Sequence, residues 1–487
     1  MLFNSDVFLF AFLPVTLAAT YISIKLGGNL AGVYCLILAS AFFYGWWDIR
    51  GIATISLSIT TNFACASVLY RRKEHRTRIT ALWLGIACNL GALAYFKYTN
   101  FFLSNLGFAT SAIVMPLAIS FYSFQQIAFL VDTYRYEIRS LRIKDYVVTV
   151  LFFPHLIAGP LIHYNRIMEQ FERSFMVSGG TILAGLPIFC IGLSKKVAIA
   201  DPIAAIVSPL FAKAQVSPLE PVSAWMAALG YTAQLYFDFS GYSDMAVGIG
   251  LMFGITLPAN FNAPYRSTSI IDFWRRWHMT LSEFLRTYLY IPLGGGRVGP
   301  VRRYSNLFIV MLLGGLWHGA GWTYVLWGAL HGSYLIINHL WRSISDSAPR
   351  VFRLAVSVLS WPLTFIAVVV AWVFFRAPDF STALNVLQGM AGQLPTSVPG
   401  EIAYIFSLKK AEFFGINLTG LGMPFGDFMV GATMLVISYL LIFFARSIRN
   451  QASLAPVKTG VPVGILAWIS LFAVVGSAPS EFIYFQF

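Results

Sequence analysis

Charge is what this chain has least of. Of its 487 residues only 11% are Asp, Glu, Lys or Arg, while 58% are hydrophobic and the mean hydropathy is +0.71. A water-soluble domain carries about 25% charged residues, so the composition excludes a soluble globular protein and indicates a polytopic membrane protein. Cysteine is scarce as well. Cys35, Cys65, Cys88 and Cys190 all fall inside apolar runs, where they read as small buried hydrophobes and not as a disulfide framework or a metal site. Acidic residues number 20 against 33 basic ones. Because the basic residues sit in the loops between apolar runs, the excess fits the positive-inside rule and not a nucleic-acid surface. No basic segment precedes the first apolar run, so no cleavable signal peptide is expected. No internal repeat, low-complexity tract or separately folding soluble segment is visible, and an inverted-repeat transporter gains no support.

What the chain has instead is apolar sequence from end to end. Runs lie at roughly 7–24, 31–47, 52–70, 79–96, 113–131, 181–194, 222–237, 305–317, 322–340, 354–375, 428–445 and 461–478. Each approaches the ~20 residues that cross a bilayer core, which gives about ten to twelve helical elements, the short or broken ones re-entrant. Loop charge sets the orientation. The basic stretch Tyr70–Arg78 belongs in the cytoplasm, as do Lys25, Asp132–Tyr146, Arg266–Arg303 and Ala445–Lys458. Both chain ends and the long connector of 376–426, interrupted by Lys409 and Lys410, then lie outside.

Ionisable groups inside apolar runs cost about 2.5–3.5 kcal/mol at mid-bilayer and mark function by default. Asp238 and Asp244 stand in "YFDFSGYSDMAVGIG". They are about 240° apart on a straight helix and share a face only if the Ser-Gly pair bends it. Pairing with a buried arginine, or capping a broken helix, explains them equally well. In "IDFWRRWHMTLSEFLRTYLYIPLGGGR", Trp274 and Trp277 bracket Arg275 and Arg276, His278 follows, and Arg297 closes a glycine run. The tryptophan–arginine mixture describes an interfacial helix, and the arginines also fit a purely topogenic role. In "LLGGLWHGAGWTYVLWGALHG", His318 follows Trp317, with Gly319 and Gly321 baring the adjacent backbone, and His331 comes thirteen residues later. His318 is a candidate general base, although a buried histidine is often a hydrogen-bonded core residue. No ligand set for a metal accompanies it. "LFFPHLIAGPLIHY" carries Pro154 and Pro160 around an apolar centre and reads as a broken membrane segment, while Gln125 and Gln126 need partners inside the bundle. The last six residues, "FIYFQF", hold a phenol, Tyr484, among aromatics.

Taken in order, "FFPHLIAGP", "FDFSGYSDMAVGIGLMFGITLPANFNAPY", "FWRRWHMTLSEFLRTYLYIPLGG", "LGGLWHGAGWTYVLWGALHG" and "AWVFFRA" resemble the membrane-bound O-acyltransferases, specifically the bacterial branch of AlgI-, PatA- and DltB-like proteins. The likeness runs from "LFNSDVFLFAFLP" to "FIYFQF". It implies one all-α domain over 1–487, with N-terminal helices to 146, a catalytic core over 147–345 and C-terminal helices beyond. It also implies a ring of about eleven transmembrane helices with re-entrant pieces around a thin centre, where a cytoplasmic tunnel meets an extracytoplasmic funnel. His318 matches the family's catalytic histidine and His278 a second retained polar position. Tyr484 matches a proposed acyl carrier, and a phenol is a better leaving group than a serine hydroxyl.

The resemblance further implies an acetyl group taken from acetyl-CoA as a substrate, with no bound cofactor. The group would pass to an SGNH-type (AlgJ-, AlgX- or PatB-like) extracytoplasmic partner that acetylates an exported polysaccharide, with this chain itself in the bacterial inner membrane. Arg275, Arg276 and Arg297 become candidate donor-binding residues, and Trp317, Asp238, Asp244 and His331 candidate tunnel-lining ones. Transfer of D-alanine to a teichoic acid, a polysaccharide channel without chemistry, and an assembly scaffold are the alternatives.

Overall fold

A computed structural model describes residues 1–110, 113–173, 175–345, 349–393, 412–413, 416–417, 426–444, 464, 470, 471 and 474. The 461–478 run (apart from those isolated residues), the tail 482–487 with Tyr484, and most of the 376–426 connector lie outside them. The described residues are helical almost throughout. Among them, strand pairing is confined to Glu412–Phe413 against Ile416–Asn417. Among the described residues, five helical stretches are long and apolar enough to cross a membrane: Val7–Gly45, Ile49–Arg71, His75–Asn105, Gly179–Ala214 and Val356–Arg376.

The first of these is two crossings. Gly28 adopts φ +71°, a conformation glycine takes without a Cβ penalty. Phe12 and Phe43, which would stand about 46 Å apart on a straight helix, have ring centroids 5.5 Å apart. The chain therefore folds back at Gly28, beside Lys25, and separates the 7–24 and 31–47 runs as their hydropathy suggests.

The 181–194 and 222–237 runs, by contrast, are parts of much longer helices. Gly179–Ser194 continues through a π-helical turn, Lys195–Ala200, into Asp201–Ala214. It lies along Pro221–Met252, a single helix that passes Ser240–Gly241 without interruption. Two glycines on each side let the backbones touch. A Cβ on Gly185 would sit 2.2 Å from Gly248 O, and one on Gly192 would sit 2.6 Å from Gly241 O. Small-residue seams of this kind join membrane helices where lipid removes any hydrophobic drive.

Two further devices shape the centre. Residues 143–164 run inward and return. Phe153, starting the short helix Phe153–Leu156, packs 5.2 Å from Phe12 and 5.3 Å from Phe43, yet Tyr164 is back within 5.9 Å of Tyr146. This is the broken segment expected from its prolines. The helices Pro300–His318 and Trp322–Ser345 form a hairpin, closed where a Cβ on Gly315 would meet Tyr324 O at 2.2 Å and one on Gly328 would meet Met311 O at 2.4 Å. His318 therefore stands at a corner between two helices, so the angle a continuous helix would put between His318 and His331 does not apply.

Candidate active site

The corner holding His318 is fixed from outside its own helix. The last carbonyls of a helix have no partner within it. Here Tyr98 Oη donates to Leu316 O at 2.8 Å, and Lys97 Nζ donates to Trp317 O at 2.6 Å and to His318 O at 3.2 Å. Lys97 also donates to Ser120 Oγ at 3.2 Å. Three acceptors match the three donors of an ammonium group, and a cation at a helix C-terminus is favourably placed against the dipole. Both side chains come from Ala94–Tyr98, a π-helical turn, an irregularity common at functional sites.

The imidazole of His318 is buried in an aromatic cage. Its ring centroid lies 4.8 Å from Trp317, 5.1 Å from Trp327 and 5.1 Å from Phe375. One side of the cage is open. His318, Lys97, Ser120, Trp317 and Trp47 line a cavity of about 100 Å³. Trp47, Met115 and Leu117 also line a second cavity, of about 250 Å³, that reaches Asp48 and Arg50 at the start of the helix Ile49–Arg71.

From the opposite, arginine-bearing face a third cavity of about 240 Å³ enters between Arg275, Arg286, His339, Trp274 and Met311. Trp274 Nε1 donates to His331 Nδ1 at 3.3 Å. His331 lies 4.9 Å from Trp327, which borders His318. His278 joins the same cluster, with Phe239 4.7 Å and Trp317 6.4 Å from its ring.

Of the residues singled out by sequence, His318, His278, His331 and Trp317 come together here, and Arg275 lines the basic cavity. Arg276 is tied to Asp272, Nε to Oδ2 at 3.0 Å, and Arg297 is exposed in the glycine turn. Asp238 and Asp244 pair with lysines, not arginines: Lys196 Nζ lies 2.7 Å from Asp238 Oδ1 and Lys195 Nζ 2.5 Å from Asp244 Oδ2. Neither aspartate lines the three cavities. Sequence reasoning passed over Lys97, Lys195 and Lys196, although each is an ionisable residue in or beside an apolar run, the same signal that picked out the aspartates. Among the described residues, no group of three or more His, Cys, Asp or Glu side chains is gathered as for a metal ion.

Residues 76–376 match the family model for MBOAT, the membrane-bound O-acyltransferase family. The chain is 39% identical to a peptidoglycan O-acetyltransferase of Helicobacter pylori, over all of this chain and 98% of that protein. It is 39% identical to a probable alginate O-acetylase AlgI of Pseudomonas aeruginosa, over 95% of this chain and 84% of the relative. A probable alginate O-acetylase AlgI of Pseudomonas putida is 37% identical over the full length of both.

Proposed function

The chain belongs to the membrane-bound O-acyltransferase family, and we propose that it carries an acetyl group from cytoplasmic acetyl-CoA across the inner membrane for O-acetylation of an exported polysaccharide. The observation that carries this reading is the position of His318, which opens to one cavity and is linked to the opposite one through Trp327, His331 and Trp274. The names of the full-length relatives support acetyl as the group and a cell-envelope glycan as its destination. The fold this supports is the ring of about eleven transmembrane helices, with Asp48 and the start of Ile49–Arg71 outside and Arg275 inside.

In the reaction proposed, the thioester C–S bond breaks, a C–O bond forms to an acceptor hydroxyl, and the hydroxyl proton ends on the coenzyme thiol. His318 takes that proton from the hydroxyl and returns it to the departing sulfur. Tyr484 is the acceptor hydroxyl we propose, in an aryl ester reactive enough to pass its acetyl group on to an SGNH-type partner. Arg275 and Arg286 are the groups available to the phosphates of the donor. The wall of the cavity at His318 argues against D-alanine. A transferred D-alanyl group carries an ammonium, and the charge beside His318 is another ammonium, Lys97, held at 3.2 Å from the His318 carbonyl.

Inverted membrane vesicles given acetyl-CoA labelled in the acetyl group test the reading. The label is expected in alkali-labile form in the vesicle lumen, and His318→Ala is expected to abolish it. Label that enters the lumen equally well with His318→Ala would exclude the proposed chemistry.

A further inference from the structure

His278 has a conformation and a hydrogen-bond partner that its neighbours dictate. It takes φ +41°, ψ +55°, left-handed backbone that costs a residue with a Cβ about 1–3 kcal/mol and that persists only where surrounding structure enforces it. The enforcement comes from Asn260. The Asn260 carbonyl accepts the Met279 amide at 2.9 Å, just beyond His278, and its side-chain Oδ1 lies 3.3 Å from His278 Nδ1.

Which atom of Asn260 faces the imidazole decides which ring nitrogen carries the proton, and the contacts of Asn260 with Thr280 and Ser243 assign it. The Leu161 amide donates to Thr280 Oγ1 at 3.1 Å, so the single Thr280 proton is left for another acceptor. Thr280 Oγ1 lies 2.6 Å from the Asn260 side chain, a separation typical of O–H···O and shorter than N–H···O contacts usually are. The facing atom is therefore Oδ1, and Asn260 Nδ2 turns the other way to donate to Ser243 Oγ at 3.2 Å. An amide oxygen has no proton to give. His278 must donate from Nδ1, so Nε2 holds a lone pair. His278 is fully buried, and Nε2 has no hydrogen-bond partner among the described residues.

We propose that Asn260 is a positioning residue for acyl transfer: it locks His278 as the Nδ1–H tautomer so that Nε2 presents a lone pair in the cluster around His318. The assignment rests on the acyl-transfer reading above and adds a second base to it. Held this way, His278 takes over at Nε2 the acceptor-hydroxyl proton that reaches His318, becomes a cation whose Nδ1–H stays on Asn260 Oδ1, and returns that same proton through His318 to the departing sulfur. The ionisable groups around it leave this role open. Lys97 is turned to the helix-end carbonyls, Asp238 and Asp244 are turned to lysines, and on its own stretch Arg276 is bound to Asp272. His318 lies beyond Trp317, whose ring is 6.4 Å from that of His278 and 4.8 Å from that of His318.

Two readouts on the full chain in membrane vesicles test this. The first is release of free thiol from acetyl-CoA as a function of pH. Asn260→Leu is expected to lower kcat about 10²-fold, the scale of a lost general base, with KM for acetyl-CoA unchanged. Asn260→Asp keeps an acceptor oxygen in place, and its charge favours the imidazolium. The acid limb of the profile should therefore move up by about one pH unit or more, which a merely structural asparagine would not cause. The second readout is ¹⁵N NMR of histidine-labelled protein, with the His278 signals identified by their loss in His278→Gln. The wild type should show Nδ1 protonated and Nε2 bare, and Asn260→Leu should lose that preference. An unmoved acid limb in Asn260→Asp, an Nε2–H tautomer in the wild type, or thiol release intact in Asn260→Leu but absent in His318→Ala would each overturn the assignment. The last result would leave the transfer reading standing. If the wild type released no thiol at all, the tautomer measurement would still decide on Asn260.

Discussion

At the scale of single residues, the site depends on groups that touch His318 through its backbone as much as through its ring. Lys97 and Tyr98 hold the final turn of Pro300–His318. Replacing Lys97 by Met leaves two buried carbonyls without their donor at about 1–3 kcal/mol each and frees the corner to move. Turnover should fall about tenfold or more while KM for acetyl-CoA holds, because the basic cavity is lined by other residues. Steady-state kinetics on equal amounts of membrane protein check it.

Away from the membrane-spanning helices, His163 ends the re-entrant segment. The Asp132 carboxylate, 3.9 Å from His163 Nδ1, raises its pKa first, with further help from the charge of Glu283 and against the effects of burial and of Arg166. A group whose folded pKa is raised stabilises fully below its unfolded value, about 6.5, and that contribution is lost as pH climbs through the folded value. Thermal stability should therefore decline across and above that window, and His163→Gln should flatten the decline. His318 was legible because Trp-His-Gly sets an imidazole beside bare backbone. Asn260 was not, since an asparagine in "PANFN" gains meaning only when Leu161, Thr280 and His278 close around it.

At the scale of elements, the helix pair Gly179–Ala214 and Pro221–Met252 departs most from a hydropathy reading. Lys195, Lys196 and Asp238 ended the apolar runs early, yet each charge is met across the seam, and neutralised pairs allow both helices to continue. Removing one partner of a buried pair is far worse than removing both. Lys195→Met alone should destabilise by about 3 kcal/mol, while Lys195→Met with Asp244→Met should recover most of the loss. Denaturation in detergent, followed by intrinsic tryptophan fluorescence, measures both. Gly185→Ala should be more damaging than its single methyl suggests. Its Cβ would meet backbone, Gly248 O at 2.2 Å, and backbone on a packed helix yields less than a side chain. The hairpins at Gly28 and at Gly319–Gly321 were readable as glycines between runs. The antiparallel closure that puts His318 at a corner was not, because sequence gives no angle between helices.

At the scale of the molecule, the orientation proposed from loop charge makes a direct prediction. In a variant with Cys35, Cys65, Cys88 and Cys190 replaced by alanine, a cysteine at Asp48 should react with a membrane-impermeant maleimide added to intact spheroplasts. One at Lys73 should react only after permeabilisation. Class and membrane residence were plain from composition, because no soluble core is built from so few charges. The packed side chains Trp327, His331 and Trp274, which join His318 at one cavity to the basic cavity, were not, because they bring together helices far apart in the chain. The role proposed for His318 is tested most directly by the alkali-labile acetate on the exported glycan of cells producing the His318→Ala variant at wild-type levels in the membrane. The account predicts that the acetate is lost while the protein stays inserted, and glycan acetylated to the wild-type extent would contradict it.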